Sequence, residues 1–200
     1  FNSGNTDKTA ATFDSNSNKV VVAYNDIDSS QHGYAIVGTV DPSDNSISFG
    51  SEVRFEAAIA TALGATFDSN ANKVVIVYKD EGNSSYGTAV IGTVSGTSIS
   101  FGTPVVYSSA ITSSNSATFD SNSNKVVVGY TAGAKVGTIS GTGISFGSQT
   151  AFIGSPASRT SMVFDSNSNK VVISSRGQSD DKSYVAVGTV SGTSISFGTA

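Results

Sequence analysis

"FDSNSNKVVVAY" (Phe13–Tyr24) is the stretch that decides the fold, because the chain repeats it four times with few changes. The other copies are "FDSNANKVVIVY" (Phe67–Tyr78), "FDSNSNKVVVGY" (Phe119–Tyr130) and "FDSNSNKVVISS" (Phe164–Ser175). Each copy joins a polar Asp/Asn/Ser segment to an apolar, β-branched run, a combination that favours a tight turn followed by a buried strand. The sequence therefore predicts a repeat protein built from β-strands.

The repeat has a period of about 50 residues. Its four Phe-Asp pairs begin at residues 13, 67, 119 and 164, so the spacings are 54, 52 and 45. When the last residues are joined to the first, they read "TAFNSGNTDKTAATFD", which matches "TAFIGSPASRTSMVFD" from Thr150 without a gap and gives a spacing of 49. This register predicts that the repeats close into a ring, although an array cut at one repeat boundary would show the same spacing.

Each repeat contains four strand-like runs, which we call a to d. In the first repeat they are "ATFD" from Ala11, "KVVVAY" from Lys19, "YAIVGTV" from Tyr34 and "SISFG" from Ser46. Runs b and c are almost wholly apolar, which indicates burial on both faces, whereas run d alternates and indicates one solvated face. We therefore expect an antiparallel sheet with b and c central and d outermost.

Four-stranded antiparallel units of about 50 residues that close on themselves resemble the blades of the β-propeller superfamily over the whole chain. The resemblance implies an all-β, four-bladed propeller; a segment of a longer propeller and a β-solenoid array are the alternatives. The chain lacks the Trp-Asp pair, the Asp-box and the double-Gly pattern of known blade families. Its composition, as in "GTVSGTSISFGT", is similar to the Ser/Thr/Gly/Asn-rich repeats of marine microbial or phage surface and tail proteins.

The repeats predict one domain over residues 1–200, and a ring that is a monomer. The four expected blades span 11–56, 65–108, 117–152, and 162–200 together with 1–10.

Composition excludes several classes of partner. The chain has 13% charged residues, a net charge of −4 and only 11 Lys and Arg, so it offers no basic stripe for nucleic acid. It has no apolar run long enough to span a bilayer, and we expect no membrane insertion. It has no Cys, so it has neither disulfides nor a thiolate metal site.

Candidate ligand-binding residues lie in the segments that differ between repeats. The a–b and c–d turns are nearly constant, whereas the b–c and d–a connections are individual in each repeat, and variable loops on a rigid scaffold commonly carry binding. Loops that drift without function would show the same variation. The candidate residues in these loops are Asp26, Asp28, His32, Asp80, Glu81, Asn83, Arg176, Asp180 and Asp181.

A calcium site is a second hypothesis. "DxNxN" at each a–b turn resembles the start of an EF-hand loop, but the Gly at position 6 and the Glu at position 12 are absent. An Asx turn explains the same residues without a metal, and we otherwise expect no cofactor. The residues concerned are Asp14, Asp68, Asp120 and Asp165.

These patterns favour a non-catalytic binding or adhesion module that recognises carbohydrate or protein through the b–c and d–a loops. We expect an extracellular, cell-surface or virion-associated location. The alternative is a structural spacer of a larger assembly. A glycoside hydrolase is a distant third, because its two carboxylates must face each other across a cleft, and no such pair is evident.

Overall fold

The computed structural model describes residues 1–154 and 156–200, and no helix occurs in this described part of the chain. It contains 17 antiparallel strands, which confirms the all-β class. The strands are β1 (Thr6–Asp14), β2 (Lys19–Asp26), β3 (His32–Asp41), β4 (Ser46–Phe49), β5 (Val53–Asp68), β6 (Lys73–Asp80), β7 (Tyr86–Ser95), β8 (Ser98–Phe101), β9 (Val105–Ile111), β10 (Ser116–Asp120), β11 (Lys125–Tyr130), β12 (Gly133–Ser140), β13 (Gly143–Phe146), β14 (Ala157–Asp165), β15 (Lys170–Gly177), β16 (Ser183–Ser191) and β17 (Ser194–Phe197).

The strands form four units with one topology. Unit 1 is β1–β4, unit 2 is the second half of β5 with β6–β8, unit 3 is β10–β13 and unit 4 is β14–β17. In each unit the strands pair in the order a-b-c-d, so b and c are central and d lies at an edge, as the apolar runs predict. The first nine strands form one continuous curled sheet, because β5 belongs to two units.

The d–a connection of the first repeat is a strand, where the sequence suggests a loop. Residues 53–59 of β5 pair with the start of β3, and residues 60–68 pair with β6 of the next unit. The chain therefore passes from the outer edge of one unit to the inner edge of the next while its backbone groups stay hydrogen-bonded. Strand β9 pairs with β7 in the same way as the first half of β5 pairs with β3.

Both faces of the central strands are buried in units 2 and 3, because each of these units packs against two neighbours. Three apolar clusters fill the three contacts between consecutive units. The contact between units 1 and 2, for example, contains Val21 and Val37 from the first and Val74 and Ile76 from the second. Burial on both faces is the physical reason that run b lacks the polar alternation of a one-sided sheet.

An aromatic residue bridges each pair of consecutive units. Phe55 packs against Tyr78 and Phe101, with ring centroids 5.2 and 5.7 Å apart, and is 7% exposed. Tyr107 and Phe152 hold the equivalent positions in the next two contacts and are 2% and 5% exposed. We call Phe55, Tyr107 and Phe152 the bridging aromatics.

The fourth contact, between units 4 and 1, is not formed in the part of the chain that the structure describes. Phe1 packs on Tyr24 and Phe49 as Phe55 packs on its partners, yet it remains 50% exposed because unit 4 does not cover it. Ten large hydrophobic side chains of the described residues are exposed, and seven lie on the two faces that would meet. These define the free face of unit 1 (Phe1, Phe13, Val40 and Ile47) and the free face of unit 4 (Val163, Val185 and Val187).

The tyrosines at the end of run b in the first three repeats belong to the core. Tyr24, Tyr78 and Tyr130 are fully buried, and their hydroxyls donate to Glu52, to Glu56 (2.9 Å) and to Gln149 (2.8 Å). Burial raises the pKa of Tyr130 to about 12, and it raises the pKa values of Tyr24 and Tyr78 further. Ionisation of these tyrosines therefore opposes folding.

Alkaline pH should destabilise the fold through Tyr130. An unfolded tyrosine titrates near pH 10, so the stabilisation is complete below that pH and is lost as the pH rises through the folded value of about 12. We expect the free energy of unfolding to fall by about 1.4 kcal/mol per pH unit in this window for Tyr130 alone. Urea midpoints from pH 9 to 12 measure the decline, and Tyr130→Phe should make it shallower. Equal slopes for the parent protein and the variant would contradict the assignment.

Candidate functional site

The connections between strands lie on two opposite sides of the units. The a–b and c–d turns share one edge, since Asp14 pairs with Lys19 and Asp41 with Ser46, and the b–c loops lie at the other edge, where Asp26 pairs with His32. We call these the constant side and the variable side. Every residue that the sequence proposes for ligand binding lies on the variable side.

On the constant side, the four aspartates of the metal hypothesis each form an Asx turn. Asp68 Oδ1, for example, accepts the backbone N–H groups of Asn70 (2.9 Å) and Ala71 (2.8 Å). The Asn four residues after each Asp adopts a left-handed φ of 53–55°. Within the described residues, no group of three or more His, Cys, Asp or Glu is placed to hold a metal ion. The equivalent bonds are made by Asp14, Asp120 and Asp165.

Asp26 and Asp80 hold the shape of the b–c loops in units 1 and 2. Both are buried, and they accept backbone N–H groups of their own loops, from Asp28 (3.0 Å) and from Asn83 (3.1 Å). Burial raises the pKa of Asp80, and the nearby Glu56 carboxylate raises it further. Asp28 accepts the backbone N–H of Asn5 (2.9 Å) and so ties down the first residues. Asp26, Asp28 and Asp80 therefore hold backbone segments in place.

Two of the proposed residues share a groove. His32 and Glu81 line an open cavity of about 400 Å³ between the b–c loops of units 1 and 2, over Ala58 and Ile59. His32, which the sequence analysis assigns to a variable loop of the first repeat, therefore lies beside the b–c loop of the second repeat.

The proposed residues of unit 4 lie apart from this groove. Arg176 forms an ion pair with Asp181, and Tyr184 donates to Asp180 (2.6 Å), which lowers the pKa of that carboxyl. Arg176 and Tyr184 line a separate cleft of about 330 Å³ that also contains Arg159. The nine proposed residues therefore do not form one site.

A third cavity on the variable side contains no residue that the sequence analysis proposed. Its volume is about 320 Å³, and it lies where the inner strands of units 1, 2 and 3 begin. We call it the axial mouth; its polar lining residues are Lys8, Thr61, Lys79, Ser113, Ser114 and Asn115.

Backbone irregularity shapes the axial mouth. The a–b pairing slips in β1, β5 and β14 at the same repeat position, five residues before the Phe of each Phe-Asp pair. That position is occupied by Lys8, Ala62, Ser114 and Arg159, and Ala62 and Arg159 have φ of 49° and 52°. Bulges of this kind redirect side chains at sites next to function. Alignment of the repeats on Phe-Asp would have revealed this variable position.

Asn115 is the least satisfied polar residue of the axial mouth. It is 7% exposed, and neither Nδ2 nor Oδ1 of its side chain has a hydrogen-bond partner within the protein. The equivalent residue of unit 2 is the apolar Leu63. An unpaired buried amide costs stability, so the stability of the fold does not account for Asn115.

Comparison with known proteins assigns no family. No protein-family model matches the chain, and no curated protein matches it. The described residues contain no helix that is long and apolar enough to cross a membrane.

Proposed function

We propose that this chain is a non-catalytic binding module that recognises carbohydrate or a protein surface through its variable side. The observation that carries the proposal is the separation of connections: near-identical Asx turns occupy one side, and individual loops with three cavities occupy the other. A rigid repeated scaffold below individual loops is the usual arrangement of a binding surface. A module of this kind belongs outside the cell, on a cell surface or on a virion.

We further propose that the units are the blades of a closed four-bladed propeller. The free face of unit 4 carries Val187 where the packed contacts have Val37, Ile91 and Val136, and the free face of unit 1 carries Ile47 where they have Ile99, Ile144 and Ile195. The two free faces are thus the two halves of an interface that the chain already forms three times. The inner strands of all four units line one cavity of about 520 Å³. Phe13 of unit 1 and Val163 of unit 4 therefore border the same cavity.

A structural module is the second candidate, and the exposure of the free faces favours it. If the free face of unit 4 packs on unit 1 of another copy, the contact is heterologous and extends into an array. A closed ring predicts the mass of one chain in solution, whereas an array predicts a mass that rises with protein concentration.

A glycan-array screen tests the binding proposal. We expect a coherent family of hits in the presence of calcium, and unchanged hits with a chelator, because the Asp oxygens already accept backbone N–H groups. Loss of the hits with chelator would support the calcium hypothesis for Asp14, Asp68, Asp120 and Asp165. A blank result from a folded sample would contradict carbohydrate recognition. Products from incubated hits, detected by mass spectrometry, would instead support the hydrolase alternative.

A further inference from the structure

We propose that the axial mouth binds a small acidic sugar, with its carboxylate between Lys8 and Lys79 and its hydroxyls on the neighbouring polar side chains. This inference rests on the proposed function, because it gives the variable side a specific site and a ligand class. Three features of the cavity carry it: the sign of its charges, the mixture of its hydrogen-bonding groups and the unpaired amide of Asn115.

The charged side chains that line the axial mouth are both cations. Lys8 Nζ lies 2.6 Å from Asp7, and both side chains are about half exposed. Lys79 Nζ lies 3.0 Å from Glu81, whose carboxylate also accepts the hydroxyl of Thr61 (3.0 Å). Ion pairs at the protein surface contribute little to the free energy of folding. A ligand carboxylate that reaches both ammonium groups can therefore compete with Asp7 and Glu81 for them.

The rest of the lining suits hydroxyl groups. Thr61, Ser113 and Ser114 have hydroxyls that both donate and accept, as sugar hydroxyls do. Ser113 is held by Thr131, whose Oγ1 accepts its backbone N–H (2.9 Å), and Ser114 Oγ accepts the backbone N–H of Thr160 (2.6 Å). The groups that meet the ligand are therefore fixed by the strands around them, which reduces the entropy lost on binding.

Asn115 supplies two further hydrogen-bonding groups, Nδ2 and Oδ1 of its side chain. Its amide offers two donors and an acceptor, and none is used within the protein. Both atoms have almost no accessible surface, so a ligand with adjacent hydroxyls provides the matching acceptor and donor once the Asn115 side chain turns into the cavity. Because Lys8, Thr61 and Asn115 come from units 1, 2 and 3, whose contacts are packed, the site does not depend on the fourth contact. The cavity volume of about 320 Å³ is at the lower end for ligand pockets and suits a monosaccharide or disaccharide.

Titration with sodium glucuronate, followed by NMR of the labelled full chain, tests the site. Glucose, acetate and inorganic phosphate are the comparison probes, since each shares only part of the chemistry. We expect glucuronate to bind at least tenfold more tightly than each of them, with shifts at Lys8, Lys79 and the segment 113–115. If phosphate binds as tightly as glucuronate, the axial mouth is a general anion site and the proposal is overturned. If glucose binds as tightly, Lys8 and Lys79 do not recognise the carboxylate, and the proposal is overturned as well.

Asn115→Leu gives the sharpest variant, because it copies Leu63 of unit 2 into the equivalent position. We expect it to abolish glucuronate binding while it raises the melting temperature by about 2–4 °C, since it removes a buried amide without partners. Lys8→Gln with Lys79→Gln should weaken binding at least tenfold without a large change in melting temperature. Lys73→Gln on the constant side is the matched control and should bind as the parent protein does.

The outcomes separate this inference from the proposed function. If glycan hits are found but Asn115→Leu and the lysine variants retain them, the binding module stands and the axial mouth is overturned as its site. If neither glucuronate nor any glycan binds a folded sample, carbohydrate recognition and the acidic-sugar site fall together. Loss of stability in Asn115→Leu would show a structural amide and would also overturn the proposal.

Discussion

Phe55→Ala should lower the free energy of unfolding by about 3–5 kcal/mol, the range for removal of a buried aromatic side chain. Phe55 is 7% exposed and lies between two units, against Tyr78 and Phe101 on one side and Gly33 on the other. Truncation leaves a cavity that strands cannot fill without losing their backbone pairing. Urea denaturation followed by circular dichroism measures the change.

Ile111→Ala is the matched control for Phe55→Ala, because Ile111 is 68% exposed although it lies in the equivalent outer segment of unit 2. It should change the free energy of unfolding by no more than about 0.5 kcal/mol. Similar losses for the two variants would show that the bridging aromatics are not central to the contacts between units.

Gly87→Val should destabilise the protein by about 3 kcal/mol or more through overpacking. A Cβ atom at Gly87 would lie 2.5 Å from Cε2 and 2.6 Å from Cζ of Tyr107, and 2.9 Å from Thr112. The Tyr107 ring has no room to retreat, because its centroid is 5.3 Å from that of Tyr130 and 5.6 Å from that of Phe146. Thermal and urea unfolding measure the loss.

Gly143→Ser is the control for Gly87→Val. A Cβ at Gly143 meets only Ser140 O, at 3.7 Å, and the other repeats carry Ser at this position. We expect stability within about 0.5 kcal/mol of the parent protein. If Gly87→Val is equally mild, the ring of Tyr107 must be free to move, and the close packing described between units 2 and 3 would be wrong.

The local structure was predictable because the same sequence pattern occurs in all four repeats. The Asx turn after each Phe-Asp pair, the central position of "KVVVAY" and the burial of Tyr78 follow from turn chemistry and strand patterning, and the structure confirms them. The continuous strand β5 was not predictable in this way. Residues such as Glu56 and Ala60 carry no strong strand signal, and their pairing with Gly33 and Asp80 comes from the neighbouring strands.

The site was less predictable than the fold. Charged loop residues such as Asp26 and Asp80 look available for a ligand in the sequence, but they are used to cap their own loops. The axial mouth combines Lys8, Thr61 and Asn115, which are about 50 residues apart and share no local motif. Only the packing of units 1, 2 and 3 against one another brings them together. Ring closure could not be predicted from the repeat spacing either, because a closed ring and an open array have the same spacing.

Light scattering of the purified chain over a concentration series, with Val187→Asp as the test variant, examines the closed ring most directly. We expect a constant mass of 20.2 kDa. Urea unfolding of Val187→Asp should give a free energy of unfolding about 2–4 kcal/mol below that of the parent protein, because closure would bury the new charge. A mass that rises with concentration and returns to 20.2 kDa in the variant would contradict the closed ring, and would show that the free faces join separate copies. A constant mass with an unaffected variant would show that the faces stay open.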